Sequence, residues 1–347
     1  MKPKLSVVMP VWNGGKYLQP AIESILSQSY GDFEFIIVND GSTDGSEEVI
    51  RSYKDSRIAL VNNFGNLGLV KSLNKGLALA SSELIARQDA DDISMPQRFE
   101  LQMRRFAERP ELALLGAQMK SIDSEGRALW NGRWLPTSSE AIAFHLIFES
   151  AFIHSSTVFR KSVVLDELGG YSGRPPQEDY ELFSKVAMRY KTENLPDTLV
   201  AYRILQSGIT RSSNKESRAR NLDISMLNYS FSLGSSDGGL EFLKVWCNLL
   251  YNDAIYDDAS IDGIGSRIEG IKERFLKLHP DCACDAELEK DCNTYIAFAI
   301  GKLCYFSKME AAKAAAIFAM KKPIALISEL PRISYHLAKS LRRHHHG

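Results

Sequence analysis

Four short apolar runs, each closed by a polar or glycine-rich turn, punctuate the first ninety residues, and helical spacing separates them. Leu5-Ser6-Val7-Val8-Met9 stops at Pro10 and opens into the loop Pro10-Val11-Trp12-Asn13-Gly14-Gly15. Leu18, Ile22, Ile25 and Leu26 then recur at helical intervals over residues 17–28. Phe33-Glu34-Phe35-Ile36-Ile37-Val38 ends in the turn Asn39-Asp40-Gly41-Ser42-Thr43-Asp44-Gly45. Residues 46–53 read as a helix with Ser46 as N-cap and Glu47 and Glu48 in its first turn. Ile58-Ala59-Leu60-Val61 precedes the turn Asn66-Leu67-Gly68 and a helix over residues 70–80. Leu84-Ile85-Ala86 is the fourth run. The first run is apolar on both parities, which predicts a strand covered on both faces. Strand and helix in alternation predict an α/β fold, an open and mostly parallel sheet flanked by helices. In such sheets ligands bind at the carboxyl ends of the strands. Pro10–Asn13, Asn39–Asp44 and Asp89–Asp92 all fall there and can converge on one crevice.

The fourth run delivers the most demanding chemistry. After Arg87 comes Gln88-Asp89-Ala90-Asp91-Asp92, three carboxylates in four residues. Like charges this close raise one another's pKa unless a positive charge joins them. A divalent cation that also bridges phosphates would serve. An ordinary acidic turn ahead of a helix is the plainer reading.

Downstream, a helix over residues 97–106, a strand over 112–118, a turn at Asp123-Ser124-Glu125-Gly126 and a helix over 141–148 are expected. Trp130 and Trp134 lie between turn signals, where they could stack on a sugar or fill the core. Ser155 to Arg160 reads as a strand of mixed polarity, and Gly169-Gly170-Tyr171 as a turn. Pro175-Pro176 leads stiffly into a helix whose first turn carries Glu178 and Asp179. A last strand runs from Leu199 to Arg203. Past residue 212 the texture becomes helical, so the expected domains are residues 1–212 and a helical region over 213–347. The basic tail from Met320 to Arg343 has an apolar face. That pattern suits either peripheral contact with an anionic membrane or packing against protein. His344-His345-His346-Gly347 carries no argument.

Composition removes several classes. The net charge of -1 gives no basic surface for nucleic acid. Hydrophobic residues make up 44% of the chain, enough for a sizeable core. The N-terminus lacks the pattern of an export signal, and no uncharged apolar stretch is long enough to span a bilayer. The five cysteines, Cys247, Cys282, Cys284, Cys292 and Cys304, lie in the last third. An odd count without an export signal predicts reduced thiols and a cytoplasmic protein. Cys282-Ala283-Cys284 with Cys292 does not fit zinc spacing. The sequence is compatible with an oligomer.

The carboxylates offer a division of labour. Asp40 can accept from a base edge or a ribose, Asp91 can hold a cation across a diphosphate, and Asp179 can take a proton from an attacking hydroxyl. Together they suit group transfer from a nucleotide diphosphate donor to an alcohol. The plainer alternative makes Asp40 a turn residue and Glu178 and Asp179 an acidic helix start. No G-x-G-x-x-G, G-x-x-x-x-G-K-[ST] or G-x-S-x-G occurs in the expected context, which argues against a dehydrogenase, a P-loop enzyme and an α/β-hydrolase. His154 before Ser155-Ser156 lacks a nucleophile elbow and reads as a polar contact near the crevice.

In order, the chain carries Val7-Val8-Met9-Pro10-Val11-Trp12-Asn13-Gly14, Ile37-Val38-Asn39-Asp40-Gly41-Ser42-Thr43-Asp44, Asn66-Leu67-Gly68 with Asn74-Lys75-Gly76, and Asp89-Ala90-Asp91-Asp92. His154-Ser155-Ser156, Gly169-Gly170-Tyr171, Glu178-Asp179-Tyr180 and Tyr202-Arg203 follow. This series, over about residues 4 to 212, resembles the family 2 glycosyltransferases of GT-A fold. The resemblance implies an inverting enzyme that moves a sugar from a nucleotide sugar, most often a UDP-sugar. It implies Pro10, Val11 and Asn13 in the nucleotide pocket and Asp40 on the base. Asp89 would face ribose and sugar, and Asp91, with Asp89, the Mn2+ or Mg2+ ion. Asp179 would be the catalytic base, with Glu178, His154 and Trp134 about the sugar or acceptor pocket. Many relatives place a histidine two positions after the Tyr-Arg pair, where this chain has Leu205. That departure predicts a metal without a protein ligand from that loop. The implied acceptor is a glycan or lipid-linked oligosaccharide of bacterial surface polysaccharide synthesis. A nucleotidyltransferase, poorly matched at Pro10–Asn13, and a non-catalytic glycan- or partner-binding member are the alternatives.

Overall fold

The computed structural model describes residues 2–130, 135–173, 175–205, 215–251, 261–280 and 285–306. Two compact units result. One comprises Met1–Ile142 with Ser150–Ser217, and the other Ala143–Glu149 with Arg218–Gly347.

The first unit is built on a sheet ordered β3-β2-β1-β4-β8-β6-β9-β5, with β7 paired to β6. The strands are β1 (Leu5–Val11), β2 (Phe33–Asn39), β3 (Ile58–Asn62), β4 (Leu84–Arg87), β5 (Ile93–Ser94), β6 (Leu112–Ile122), β7 (Ala128–Trp130), β8 (Val158–Arg160) and β9 (Lys191–Arg203). Its helices are α1 (Gly15–Leu26), α2 (Ser46–Ser52), α3 (Leu69–Leu79), α4 (Arg98–Glu108), α5 (Ser139–His145, which runs on into the second unit) and α6 (Glu178–Ala187). Every residue of β1 is buried, as a strand apolar on both parities requires. It pairs in parallel with β2 and β4. β4 ends opposite Val8, so Pro10 sits where β1 has lost its neighbour on that side. Leu5, Val7, Met9, Leu18, Ile22, Phe35, Phe99 and Leu115 belong to one core cluster.

The expected mostly parallel sheet needs correction. β1 to β4 are parallel, but β8 runs antiparallel to both β4 and β6, and β5 runs antiparallel to β9. The result is a mixed sheet. Strand direction is absent from an apolar pattern, which reports burial alone. Two local expectations also change. Ser46 is the first helical residue of α2 rather than its cap, because Gly45 (φ 87°) occupies the cap. Ser155 and Ser156 form a 3-10 turn, and the strand starts only at Val158.

The second unit holds most of α7 (Lys215–Leu233), with α8 (Gly239–Tyr251), α9 (Ile261–Leu278) and α10 (Asp285–Phe306). Its core includes residues 143–149, which the sequence assigns to the preceding domain. Phe148 stacks on Tyr295 at 4.3 Å, and the Trp246 indole N–H donates to the Phe148 carbonyl at 3.1 Å. His145 Nδ1 lies 2.7 Å from Asp291 Oδ2, both buried. Cys247 and Cys292 are buried free thiols. Among the described residues no helix is long and apolar enough to cross a membrane. The basic tail, Cys282, Cys284, Cys304 and Trp134 lie outside the described residues.

Candidate active site

The carboxyl ends of β1 and β2 carry two loops that lock together. Asn13, at φ 52°, receives the Thr43 N–H on its Oδ1 at 2.9 Å, and its own N–H donates to the Ser42 hydroxyl at 3.0 Å. The Gly14 N–H donates to Ser46 Oγ, and the Gly15 N–H to Asp44 Oδ2 at 2.9 Å. Asp40 follows β2 and is 3% exposed. Its Oδ1 accepts from Asn63 Nδ2 at 2.7 Å and the Leu67 N–H at 2.9 Å, and its Oδ2 accepts from the Gly68 N–H at 2.9 Å. Burial alone would raise this carboxyl, but Asn63 and the two N–H groups hold it below the usual range. Gly41 lies at φ 72°, and a side chain there would strike the backbone of Gly65. Asp40 thus fastens the segment 63–68 against the end of β2. Pro10 and Val11 are buried in β1, while Trp12 is 58% exposed beside Asn13. A lone aromatic after a strand carries no signal of exposure in the sequence, so the open ring of Trp12 is legible only in the structure.

The acidic turn after β4 is built differently. The Gln88 side chain, wholly buried, donates to the carbonyls of Asp89 and Asp92 and accepts from Ser94 and Arg98. Arg98, also buried, reaches the carbonyls of Arg87 and Thr157 at 2.9 and 3.1 Å. Burial lowers its guanidinium to about 9. Arg203 pins the outer side. Its N–H donates to Asp92 Oδ1 at 2.8 Å, Nε to the Asp91 carbonyl at 2.8 Å, and Nη1 to the Asp123 carbonyl at 2.8 Å. Its guanidinium lies 4.8 Å from the centre of the Tyr17 ring.

On this base the three aspartates diverge. Asp89 Oδ1 takes an Arg87 Nη2 donor at 2.6 Å, and Oδ2 takes the Ser155 hydroxyl at 2.7 Å. Burial opposes ionisation, but Arg87 foremost and Ser155 with it hold Asp89 below the usual carboxylate range. Asp91 is half-buried, and its carboxylate accepts from no other residue's side chain among the described residues. Burial and then the Asp89 charge push it up to about 6. Asp92 is 1% exposed, and its Oδ2 has no partner. Burial, Asp89 and Asp91 raise it well above the usual range.

The first turn of α6 meets the same field. Glu178 is 5% exposed with Oε2 unpartnered, and burial followed by Asp179 pushes it up to about 8. Burial pushes Asp179 up to about 6, and Asp89 adds to the rise. Arg87 favours the charged form of both. A wall is held nearby by Asn74 on α3, which donates to the Tyr171 carbonyl at 2.8 Å and accepts the Tyr171 N–H at 2.9 Å. Gly170, at φ 81°, leaves room for this clamp, since a Cβ there would stand 2.5 Å from Asn74 Oδ1. The Tyr171 hydroxyl lies 2.8 Å from His154 Nε2. Burial pushes His154 well below its ordinary value and Tyr171 up, so both are neutral at pH 7.

No group of three metal-ligating side chains occurs among the described residues. The donor set still fits a hard divalent cation, which takes one or two carboxylates and completes its shell with water and substrate phosphates. Asp91, which accepts from no other side chain among the described residues, and the buried Asp92 Oδ2, without a partner there, are carboxylate oxygens that such a cation would satisfy.

The glycosyl transferase family 2 model matches residues 6–169. An uncharacterised glycosyltransferase of Methanocaldococcus jannaschii is 35% identical over 58% of this chain and 71% of its own length. The chain belongs to glycosyltransferase family 2. The amylovoran biosynthesis glycosyltransferase AmsE of Erwinia amylovora is 32% identical over 57% of this chain and 75% of its own. The O-antigen biosynthesis glycosyltransferase WbnJ of Escherichia coli is 30% identical over 60% and 83%. Among solved structures, S. aureus TarS 1-349 in complex with UDP-GlcNAc aligns with TM-score 0.55 at 16% identity, over 98% of this chain and 92% of its own. The mannosyltransferase PcManGT of Pyrobaculum calidifontis, in complex with GDP-Man and Mn2+, aligns with TM-score 0.52 at 18% identity, over 99% and 87%. At these identities the structures speak for the fold.

Proposed function

We propose that this glycosyltransferase is metal-dependent and inverting, moving a sugar from a UDP-sugar to a hydroxyl of a glycan or lipid-linked acceptor in surface polysaccharide synthesis. One observation carries the reading. Asp91, with no other side chain on its carboxylate among the described residues, and Asp179, pushed up to about 6, share the field of Asp89 and Arg87. Asp179 is the catalytic base, ionised at neutral pH yet basic enough to take a proton. It accepts that proton as the acceptor oxygen bonds to the anomeric carbon. The bond from that carbon to the diphosphate oxygen breaks, and the nucleoside diphosphate leaves with the electron pair. Asp91, with Asp89 beside it, would hold Mn2+ or Mg2+, which would neutralise charge on the departing diphosphate. Pro10, Val11, Asn13 and Asp40 form the nucleotide side, and the exposed Trp12 ring offers a stacking face for the base. His154 and Glu178 line the sugar or acceptor pocket, with Trp134 assigned there from sequence alone. The names of AmsE and WbnJ support the polysaccharide context. The Mn2+ bound by PcManGT and the UDP-GlcNAc bound by TarS support metal and donor class.

The test is diphosphate release from UDP-, GDP- and dTDP-sugars, with Mn2+ or EDTA. Metal-dependent release from one donor is expected. Equal release in EDTA overturns the metal role, and neither release nor binding of any nucleotide sugar favours a non-catalytic member.

A further inference from the structure

Arg87 ends β4 beneath the acidic turn, with its side chain 1% exposed. One of its terminal nitrogens bonds the Gln88 carbonyl, and the other reaches Asp89 Oδ1 at 2.6 Å. Nε is buried and has no partner among the described residues. The opposite oxygen of Asp89 is taken by Ser155, itself wholly buried, at 2.7 Å. The Asp89 N–H returns a bond to Ser155 Oγ at 3.1 Å. Each oxygen of Asp89 is therefore engaged by a donor that has little freedom to leave. The guanidinium sets a positive charge directly against Asp89 Oδ1. A metal ion placed on Asp89 Oδ1 would have to approach that charge.

We propose that Arg87 is a positioning residue: with Ser155 it fixes Asp89 in one orientation, so that of the Asp89 and Asp91 pair only Asp91 is left, among the described residues, without another side chain on its carboxylate and open to a divalent cation. The proposal rests on the reading of this turn as a cation site and narrows which oxygens the ion meets. It gives a physical cause in this chain for the different parts that the resemblance assigns to Asp89 and Asp91, which two neighbouring carboxylates do not reveal by themselves. It also predicts an effect that damage to the fold would not produce. Removing the guanidinium releases Asp89 to chelate beside Asp91. Two carboxylates without a cation between them bind a divalent ion more tightly than one, while the diphosphate meets the ion in the wrong place.

The experiment uses the full chain as wild type, Arg87→Gln, Arg87→Lys and Ser155→Ala, with thermal melting to show folding. Mn2+ is titrated alone and followed by electron paramagnetic resonance, then titrated again beside UDP or GDP, and donor KM and kcat are measured separately. Arg87→Gln is expected to bind Mn2+ alone about tenfold more tightly while kcat falls about 100-fold. Arg87→Lys keeps the charge and is expected to stay within about threefold of wild type for Mn2+, with part of the turnover restored. Ser155→Ala is expected to tighten Mn2+ about threefold and serves as the deciding variant if Arg87→Gln does not fold. Folded Arg87→Gln with Mn2+ affinity equal to or weaker than wild type overturns the proposal, as does unchanged affinity in Ser155→Ala when that variant decides. A wild type that binds no Mn2+, alone or beside UDP or GDP, removes the cation reading itself and the proposal with it.

Discussion

Apart from Asp89, which Arg87 and Ser155 hold low, the two sides of the site treat their carboxylates in opposite ways. Between β1 and β3, Asp40 and Asp44 each collect several donors, and both are held below the usual carboxylate range. At the turn after β4 and the start of α6, Asp91, Asp92, Glu178 and Asp179 are raised, and Asp92 Oδ2 and Glu178 Oε2 have no partner. Burial acts on both sides, so donors make the difference. The first side is finished structure, and the proposed function makes it the nucleotide side. The second stores charge and protons that a cation and substrate hydroxyls would satisfy.

The strongest way to break this contrast is at the base. Asp179→Asn is expected to lower kcat about 1,000-fold, with donor binding by calorimetry close to wild type. A loss confined to KM would instead make Asp179 a binding group. Asp91→Ala is expected to cost about 100-fold in kcat and to abolish the difference between Mn2+ and EDTA. On the finished side the same kind of change acts on stability. Asp40→Asn weakens the anchors from Asn63, Leu67 and Gly68, and chemical denaturation is expected to show a loss of about 2–3 kcal/mol. The smallest effect sharpens the comparison most. Glu178 has a folded-state pKa raised to about 8, so the folded protein holds a proton that the unfolded chain has released. Its contribution to stability is present below the unfolded value and is lost as pH rises towards 8. Glu178→Gln is therefore expected to gain on wild type as pH rises, from almost nothing below pH 5 to about 2 kcal/mol by pH 8, read as a difference in stability that grows across this range.

Much of the first side was legible from sequence, and less of the second. The parallel strands β1 to β4 and the turns at their carboxyl ends follow from strands that alternate with helices and close on Asn, Asp and Gly. The antiparallel insertion of β8 did not, because a strand of three residues after a 3-10 turn carries no signal of direction. Asp89, Asp91 and Asp179 stood out by type and spacing. Their supports did not, since Arg87 and Arg98 look like interruptions of apolar or helical patterns. Ser155 meets Asp89 across 66 positions of chain. Such contacts are set by the fold, and one sequence contains no pairing information for them. The segment 143–149 shows the same limit, because its helical spacing reveals an apolar face and not the unit that buries it.

The most direct measurement is the melting temperature from pH 6.5 to 8, in EDTA and in Mn2+, for wild type and Asp91→Ala. From pH 6.5 upward the opposing contribution of His154, neutral when folded, fades as the unfolded histidine loses its proton, and Asp40 and Asp44 are ionised in both states. Wild type in EDTA is predicted to melt at falling temperature as pH rises, with Mn2+ restoring stability at pH 8 and Asp91→Ala insensitive to the metal. A melting temperature in EDTA that is level or rises over this range, with the same Mn2+ response in both proteins, would contradict the stored charge and the cation that answers it.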